Sequence, residues 1–217
     1  MGIINRGKLS GWLDISQSVS GVVLAIFLWT HLILVSSILL GAEAMTWVAK
    51  TMELSFLTAD GHGYPWVVTI IAVIIAVIAL VHVLVAAHKM PLNLRQQKAL
   101  KQQLNVVNHG DTRLWVWQAA TGVVIFLLLP VHLWLIGPAP ISHKWIWQQG
   151  VWLLYLPLLL CVELHAAIGV YRVAVKWGAA RDLNSRSRLK KIKSIISVVF
   201  ILVGIASLLA FLPYANA

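Results

Sequence analysis

Four histidines sit where histidine is rare. His31, His82, His132 and His165 each fall inside a long apolar run. Ionisable side chains are costly inside a membrane and are retained there for ligand, proton or redox work. His62, His109 and His143 fall in loops, and His88 stands beside Lys89 at the edge of a run. A single intramembrane histidine reads most simply as an interhelical hydrogen bond. Four in four separate runs point to a ligand set. Neutral imidazole is a common ligand for transition metals, and two opposed imidazoles supply the axial positions of a haem iron.

An internal repeat sorts the four. Residues 17–31 read QSVSGVVLAIFLWTH and residues 118–132 read QAATGVVIFLLLPVH; both fit Q-x-x-[ST]-G-V-V-x7-H. At about 1.5 Å per residue, His31 and His132 lie roughly 20–22 Å from the start of their runs, while His82 and His165 lie roughly 10 Å from the ends of theirs. Alternate runs point in opposite directions, so two pairs result: His31 with His132 at one depth, and His82 with His165 at another. Ser20 and Thr121 precede their histidines by 11 residues, about 20° away on the same helix face and roughly 16 Å along it. That is the depth of the second pair, where a small residue leaves room for a macrocycle. Gln17 and Gln118 lie near the same face at the membrane edge, within reach of haem propionates. Lys176 follows His165 by 11 residues and shares its face; it reads either as a propionate partner or as a snorkelling interfacial lysine.

The elements that must position these residues follow from composition. The chain has 217 residues, of which 60% are hydrophobic and 11% charged. A soluble domain carries about 25% charged residues. Five blocks, about 18–40, 65–88, 114–137, 146–175 and 194–213, are long enough to cross a bilayer. They must be helices, because hydrocarbon cannot hydrate an unpaired backbone, and their runs are too continuous for a membrane barrel. The expected fold is therefore all-α: an integral membrane bundle of five transmembrane helices holding two b haems, in a single domain over 1–217. The block 194–213 has neither charge nor histidine and reads as a packing helix. Met45–Phe56 is expected to form a short helix outside the bilayer. Pro91 is expected to stop the second span, and Gly137, Pro138 and Pro140 to make a firm turn.

The net charge of +10 raises nucleic acid as a partner, but its distribution argues against one. Fifteen of the 17 Lys and Arg fall in three clusters, Arg6/Lys8, Lys89–Arg113 and Arg172–Lys193, which five spans place on one side; Lys50 and Lys144 stand on the other. The basic end is the inner one by the positive-inside rule, with the N-terminus cytoplasmic and Ala217 periplasmic. The same basic face could also dock a soluble partner. Residues 1–17 lack the apolar core of a signal peptide, so none is expected. Cys161 stands alone in a membrane block, and no CxxCH occurs for covalent haem attachment.

Glu163 is expected to be the only carboxylate within a helix. It precedes His165 by two residues and so points away from the ligand face. It reads as a proton relay or as a hydrogen-bonded structural acid. Glu53, in the outer segment, reads as a proton acceptor near the outer pair or as an ordinary solvated glutamate.

These motifs carry a resemblance. With QSVSGVVLAIFLWTH, HVLVAAHKMPLNLRQ, DTRLWVWQAATG followed by VH, and ELHAAIGVYR, nearly the whole chain resembles the dihaem cytochrome b subunit of quinol:fumarate reductases and related succinate:quinone oxidoreductases. The resemblance implies that His82 and His165 hold a proximal haem near an iron–sulfur subunit, and that His31 and His132 hold a distal one. It implies that Gln17, Ser18, Trp115 and Lys176 contact proximal propionates. It implies that Glu163 carries protons across the membrane, and that Glu53 stands by a menaquinol oxidation site on the outer side. Flavin chemistry would belong to a separate flavoprotein subunit, and the complex could be a dimer of heterotrimers. Two alternatives remain beside it: the cytochrome b of a membrane hydrogenase or formate dehydrogenase, and a haem-free proton-coupled transporter.

Overall fold

Each long apolar run becomes a helix because its backbone must satisfy itself. The computed structural model describes residues 2–91, 93–106, 110–136 and 150–214. Seven α-helices stand among them: α1 Gly2–Val35, α2 Ala42–Met52, α3 Pro65–Ala87, α4 Leu94–Val106, α5 Gly110–Ile136, α6 Trp152–Lys176 and α7 Leu183–Ala210. Five of these (α1, α3, α5, α6 and α7) are long and apolar enough to span a membrane, and no strand occurs among the described residues. The protein is thus an all-α, multi-pass membrane bundle.

The spans run further than hydropathy alone predicts. α1 begins at Gly2 rather than near residue 18, and α7 begins at Leu183 rather than at 194. The helical ladder does not stop where the bilayer does, and Lys, Arg and Gln are good helix formers in water. Asp182 starts α7 as its N-cap, its carboxylate accepting from Ser185 N at 2.8 Å. One consequence corrects the expectation of a single helical carboxylate: Asp14 on α1, Glu43 on α2 and Asp111 on α5 also lie on helices. At the outer end α1 tightens into a 3-10 turn over Ser36–Leu40. Gly41, at φ +110°, then swings the chain into α2, a conformation that needs glycine. The expected helix at Met45–Phe56 is α2 followed by a 3-10 turn over Ser55–Leu57. α3 ends at Ala87, ahead of Pro91. Gly137, Pro138, Pro140, His109, His143, Lys144 and residues 146–149 lie outside the described residues.

α1 is central, packing on α3, α6 and α7; α6 packs on α5 and α7. The bundle is apolar on its outside, and inside it polar side chains lie among apolar ones such as Leu158, Leu159, Ile168 and Phe211. Its buried side chains include Ser18, Ser20, Thr121, Ser197, Ser207 and Glu163, and the last is 0% exposed. α3 has no buried residue, while Ile70, Val73, Ile74, Val77 and Leu84 lie open on its surface. Such a surface is stable only against lipid tails. At the outer end Ile38 and Phe211 form an apolar cluster with Ala42, Met45, Trp152 and Tyr155, which ties α2 to the bundle.

Candidate functional site: two histidine pairs

The inner pair is built from four helices. His82 on α3 and His165 on α6 face each other with ring centroids 6.3 Å apart and planes at 83°. The residues that surround them come from the repeat. Ser20 Oγ lies 2.9 Å from His82 Nδ1, and Thr121 Oγ1 lies 3.4 Å from His165 Nδ1. The main-chain carbonyl of Gln118 accepts from His165 Nδ1 at 2.9 Å, and that of Gln17 faces His82 in the same way. A Cβ on Gly21 or Gly122 would stand 3.0 Å from Cε1 of the neighbouring histidine, so these glycines let each ring approach the helix backbone.

The pattern continues toward the basic ends of the helices. Lys89 donates to Gln17 Oε1 at 2.6 Å, and Arg172 donates to Gln118 Oε1. Lys89 and Arg172 each stand seven residues after the pair's histidine, so H-x6-[KR] is a second repeat, on α3 and α6. The sequence contains it openly, and only the contacts give it meaning. Asp14 pairs with Lys89 and, at 3.1 Å, with Lys176. Lys176 also lies over the Trp177 ring. Ser18 donates to Asp14 O at 2.8 Å. Trp115 lines a cleft of about 270 Å³ with His88, Lys89, Met90 and Gln96. Cations thus collect at the inner mouth of the His82–His165 gap.

The outer pair is plainer. His31 on α1 and His132 on α5 have ring centroids 6.4 Å apart and planes at 68°. Phe27 stacks on His31, and Tyr155 meets His132 edge-on at 5.4 Å. Nδ1 of His132 is buried and has no hydrogen-bond partner among the described residues.

Both spacings can be tested against an iron. A metal–imidazole bond is about 2.0–2.1 Å and a ring nitrogen lies about 1.1 Å from its centroid, so two rings across one metal hold centroids about 6.3 Å apart. Both pairs meet this spacing, and the hydrogen bonds on Nδ1 in the inner pair leave Nε2 as the free ligand atom. No group of three or more His, Cys, Asp or Glu that could hold a metal ion occurs among the described residues, which leaves the histidine pairs as the candidate sites.

Glu163 lies apart from both pairs' ligand faces. Trp29 Nε1 on α1 donates to its Oε2 at 3.0 Å, and Trp29 itself stacks on Phe200 of α7. Ser197 is close to the carboxylate, but Oε1 and the Ser197 hydroxyl do not reach hydrogen-bonding geometry. Trp29 is not among the residues expected from sequence, because its partner depends on how α1, α6 and α7 cross. Glu53 closes α2, its carbonyl accepting from Tyr64 N. Its carboxylate makes no hydrogen bond or ion pair among the described residues.

Five spans and two facing histidine pairs define a multi-pass membrane protein with imidazoles opposed between its helices. Residues 95–206 match the family described as succinate dehydrogenase/fumarate reductase transmembrane subunit. The chain is 42% identical to the fumarate reductase cytochrome b subunit of two Helicobacter pylori strains, over 96% of its own length and 83% of theirs. It is 37% identical to the fumarate reductase cytochrome b subunit of Wolinella succinogenes, over 95% of its own length and 83% of the relative's. The chain belongs to this family of succinate dehydrogenase/fumarate reductase transmembrane subunits.

Proposed function

We propose that this chain, as a single domain over 1–217, is the dihaem cytochrome b anchor of a quinol:fumarate reductase or succinate:quinone oxidoreductase. The observation that carries the reading is that both histidine pairs stand at the spacing of two imidazoles across one iron. His82 and His165 hold the proximal haem b, and His31 and His132 the distal one. With two imidazole ligands each iron has no open position, which suits electron transfer rather than oxygen or substrate binding. When bound, the two haems supply one-electron transfer between a quinone at one end and an iron–sulfur centre at the other.

The chain's own residues orient and neutralise. Lys176, Gln17, Gln118, Ser18 and Trp115 gather where propionates of the inner group would emerge, and the cations there favour those carboxylates. Ser20 and Thr121 contact the inner histidines. Glu163 holds a proton in the interior between α1, α6 and α7, and passes it along the membrane as electrons cross. Glu53 takes protons from menaquinol on the outer side. The partners are the iron–sulfur and flavoprotein subunits, docked on the basic inner face, in a dimer of heterotrimers. The complex sits in the inner membrane with this chain's N-terminus cytoplasmic and its C-terminus periplasmic.

A reduced-minus-oxidised spectrum of the purified complex, with haem quantified per chain, tests the reading. Two b haems per chain are expected. A complex without b haem overturns it and leaves a proton-coupled role for the same histidines.

A further inference from the structure

Each ring of the inner pair faces a backbone carbonyl and a side-chain hydroxyl, and the two rings differ in how close the hydroxyl stands: 2.9 Å at His82 and 3.4 Å at His165. We infer that Ser20 is a positioning residue that sets the redox potential of the inner iron site, with Thr121 as its weaker counterpart. This inference rests on the reading that a haem lies between His82 and His165.

Ser20 is buried, and its hydroxyl has one proton to give. Ser16 O lies 2.6 Å from Oγ and takes that proton. The lone pairs of Oγ then face His82 Nδ1 at 2.9 Å, so Nδ1 carries the hydrogen and Nε2 is left for iron. Gly21, with no side chain, leaves the room the same ring occupies; a Cβ there would stand 3.0 Å from Cε1. On the other ring the short bond comes from the Gln118 carbonyl at 2.9 Å, while the Thr121 hydroxyl, its proton given to Trp117 O at 2.8 Å, stands off at 3.4 Å. A side-chain hydroxyl therefore makes a short bond to one ligand, and on the other ligand the short bond is made by the backbone. An acceptor on Nδ1–H makes imidazole a stronger donor to the metal and stabilises the oxidised iron. Loss of the Ser20 hydroxyl should raise the potential of that haem alone.

The experiment uses the whole complex carrying Ser20→Ala, Ser20→Thr or Thr121→Val. The two b haems are titrated redox-optically, and the oxidised protein is recorded by EPR, whose low-field signal follows the angle between the imidazole planes. His82→Ala identifies which band belongs to the inner haem. The expected result is two haems in Ser20→Ala, a positive shift of the inner midpoint, a moved inner EPR signal and an unchanged outer haem. Ser20→Thr, which matches the repeat's own Thr121, should return the midpoint toward that of the unsubstituted protein, and Thr121→Val should shift it less than Ser20→Ala. An unmoved inner midpoint in Ser20→Ala, or equal shifts in both haems, overturns the inference. If Ser20→Ala does not assemble, Ser20→Thr is compared with Ser20→Cys: a shift in the thiol variant alone supports the inference, and equal midpoints overturn it. Failure of the underlying reading looks different: the unsubstituted complex would lack two b haems, or His82→Ala would keep both.

Discussion

The inner and outer histidine pairs share a spacing and differ in everything around it. The inner rings are hydrogen-bonded at Nδ1, seated against glycines that leave them room, and overlooked by Lys89, Arg172 and Lys176. The outer rings lie among Phe27 and Tyr155, and His132 Nδ1 is left without a partner among the described residues. One motif repeated in α1 and α5 therefore serves two purposes. Its C-terminal histidine belongs to the outer pair, while its N-terminal Gln, Ser/Thr and Gly line the inner one. The difference teaches that the spacing of a histidine pair and the surroundings of its rings are separable: spacing comes from helix packing, and the hydrogen bonds on each ring come from a few atoms on the neighbouring helix.

Removing a ligand should break the comparison most sharply. In His82→Ala or His165→Ala the complex should keep roughly half its haem, all of it in the outer band, because one imidazole does not replace a bis-histidine site. His31→Ala or His132→Ala should lose the other half. Haem assay with difference spectra reads this directly, and a variant that keeps both bands would remove its residue from the ligand set. A smaller but still large effect is expected at the carboxylate that serves neither pair. Glu163→Leu leaves the Trp29 N–H buried without an acceptor, a loss of about 1–3 kcal/mol. Its quinol-driven turnover should fall about tenfold or more if the group carries protons. Glu163→Gln retains an acceptor for Trp29 and should recover the stability without the turnover. Thermal melts and turnover in vesicles separate the two.

Substitutions that crowd a ring should sharpen the contrast between the pairs. A methyl at Gly21 or Gly122 would force the inner imidazole aside, at about 1–3 kcal/mol of overpacking. Gly21→Ala and Gly122→Ala should each disturb the inner EPR signal and leave the outer one in place. The smallest effect is expected far from both pairs. Asp182→Ala removes the α7 cap and should cost about 1 kcal/mol, with both haem bands unchanged. A spectral change in that variant would show that α7 takes part in the sites.

Much of this arrangement is legible in the sequence alone. The five spans are readable because hydrocarbon imposes both length and composition, and the pairing of His31 with His132 and His82 with His165 follows from depth along straight helices. The inner ends of α1 and α7 are not readable from hydropathy, since apolarity ends at the headgroups while helical hydrogen bonding continues into water. Asp14 is hidden for the same reason, and with it the ion pairs to Lys89 and Lys176. Lys89 and Arg172 are visible as H-x6-[KR], yet the spacing alone does not say that their partners are Gln17 and Gln118. Trp29 cannot be assigned to Glu163 from periodicity, because the contact is fixed by the crossing of three helices rather than by one helix face.

The contrast between the bundle's open apolar faces and its few buried polar side chains also bears on which substitutions such a chain can accept. The open faces of α3 and α7 touch a fluid that accepts hydrocarbon of any shape, so one apolar residue there can replace another with little penalty. Ser20, Gly21, Thr121, Gly122 and Glu163 have no such freedom, since each meets one particular atom at one particular distance. Most of the membrane surface should therefore tolerate apolar exchange, while a thin thread of polar contacts through the middle should not.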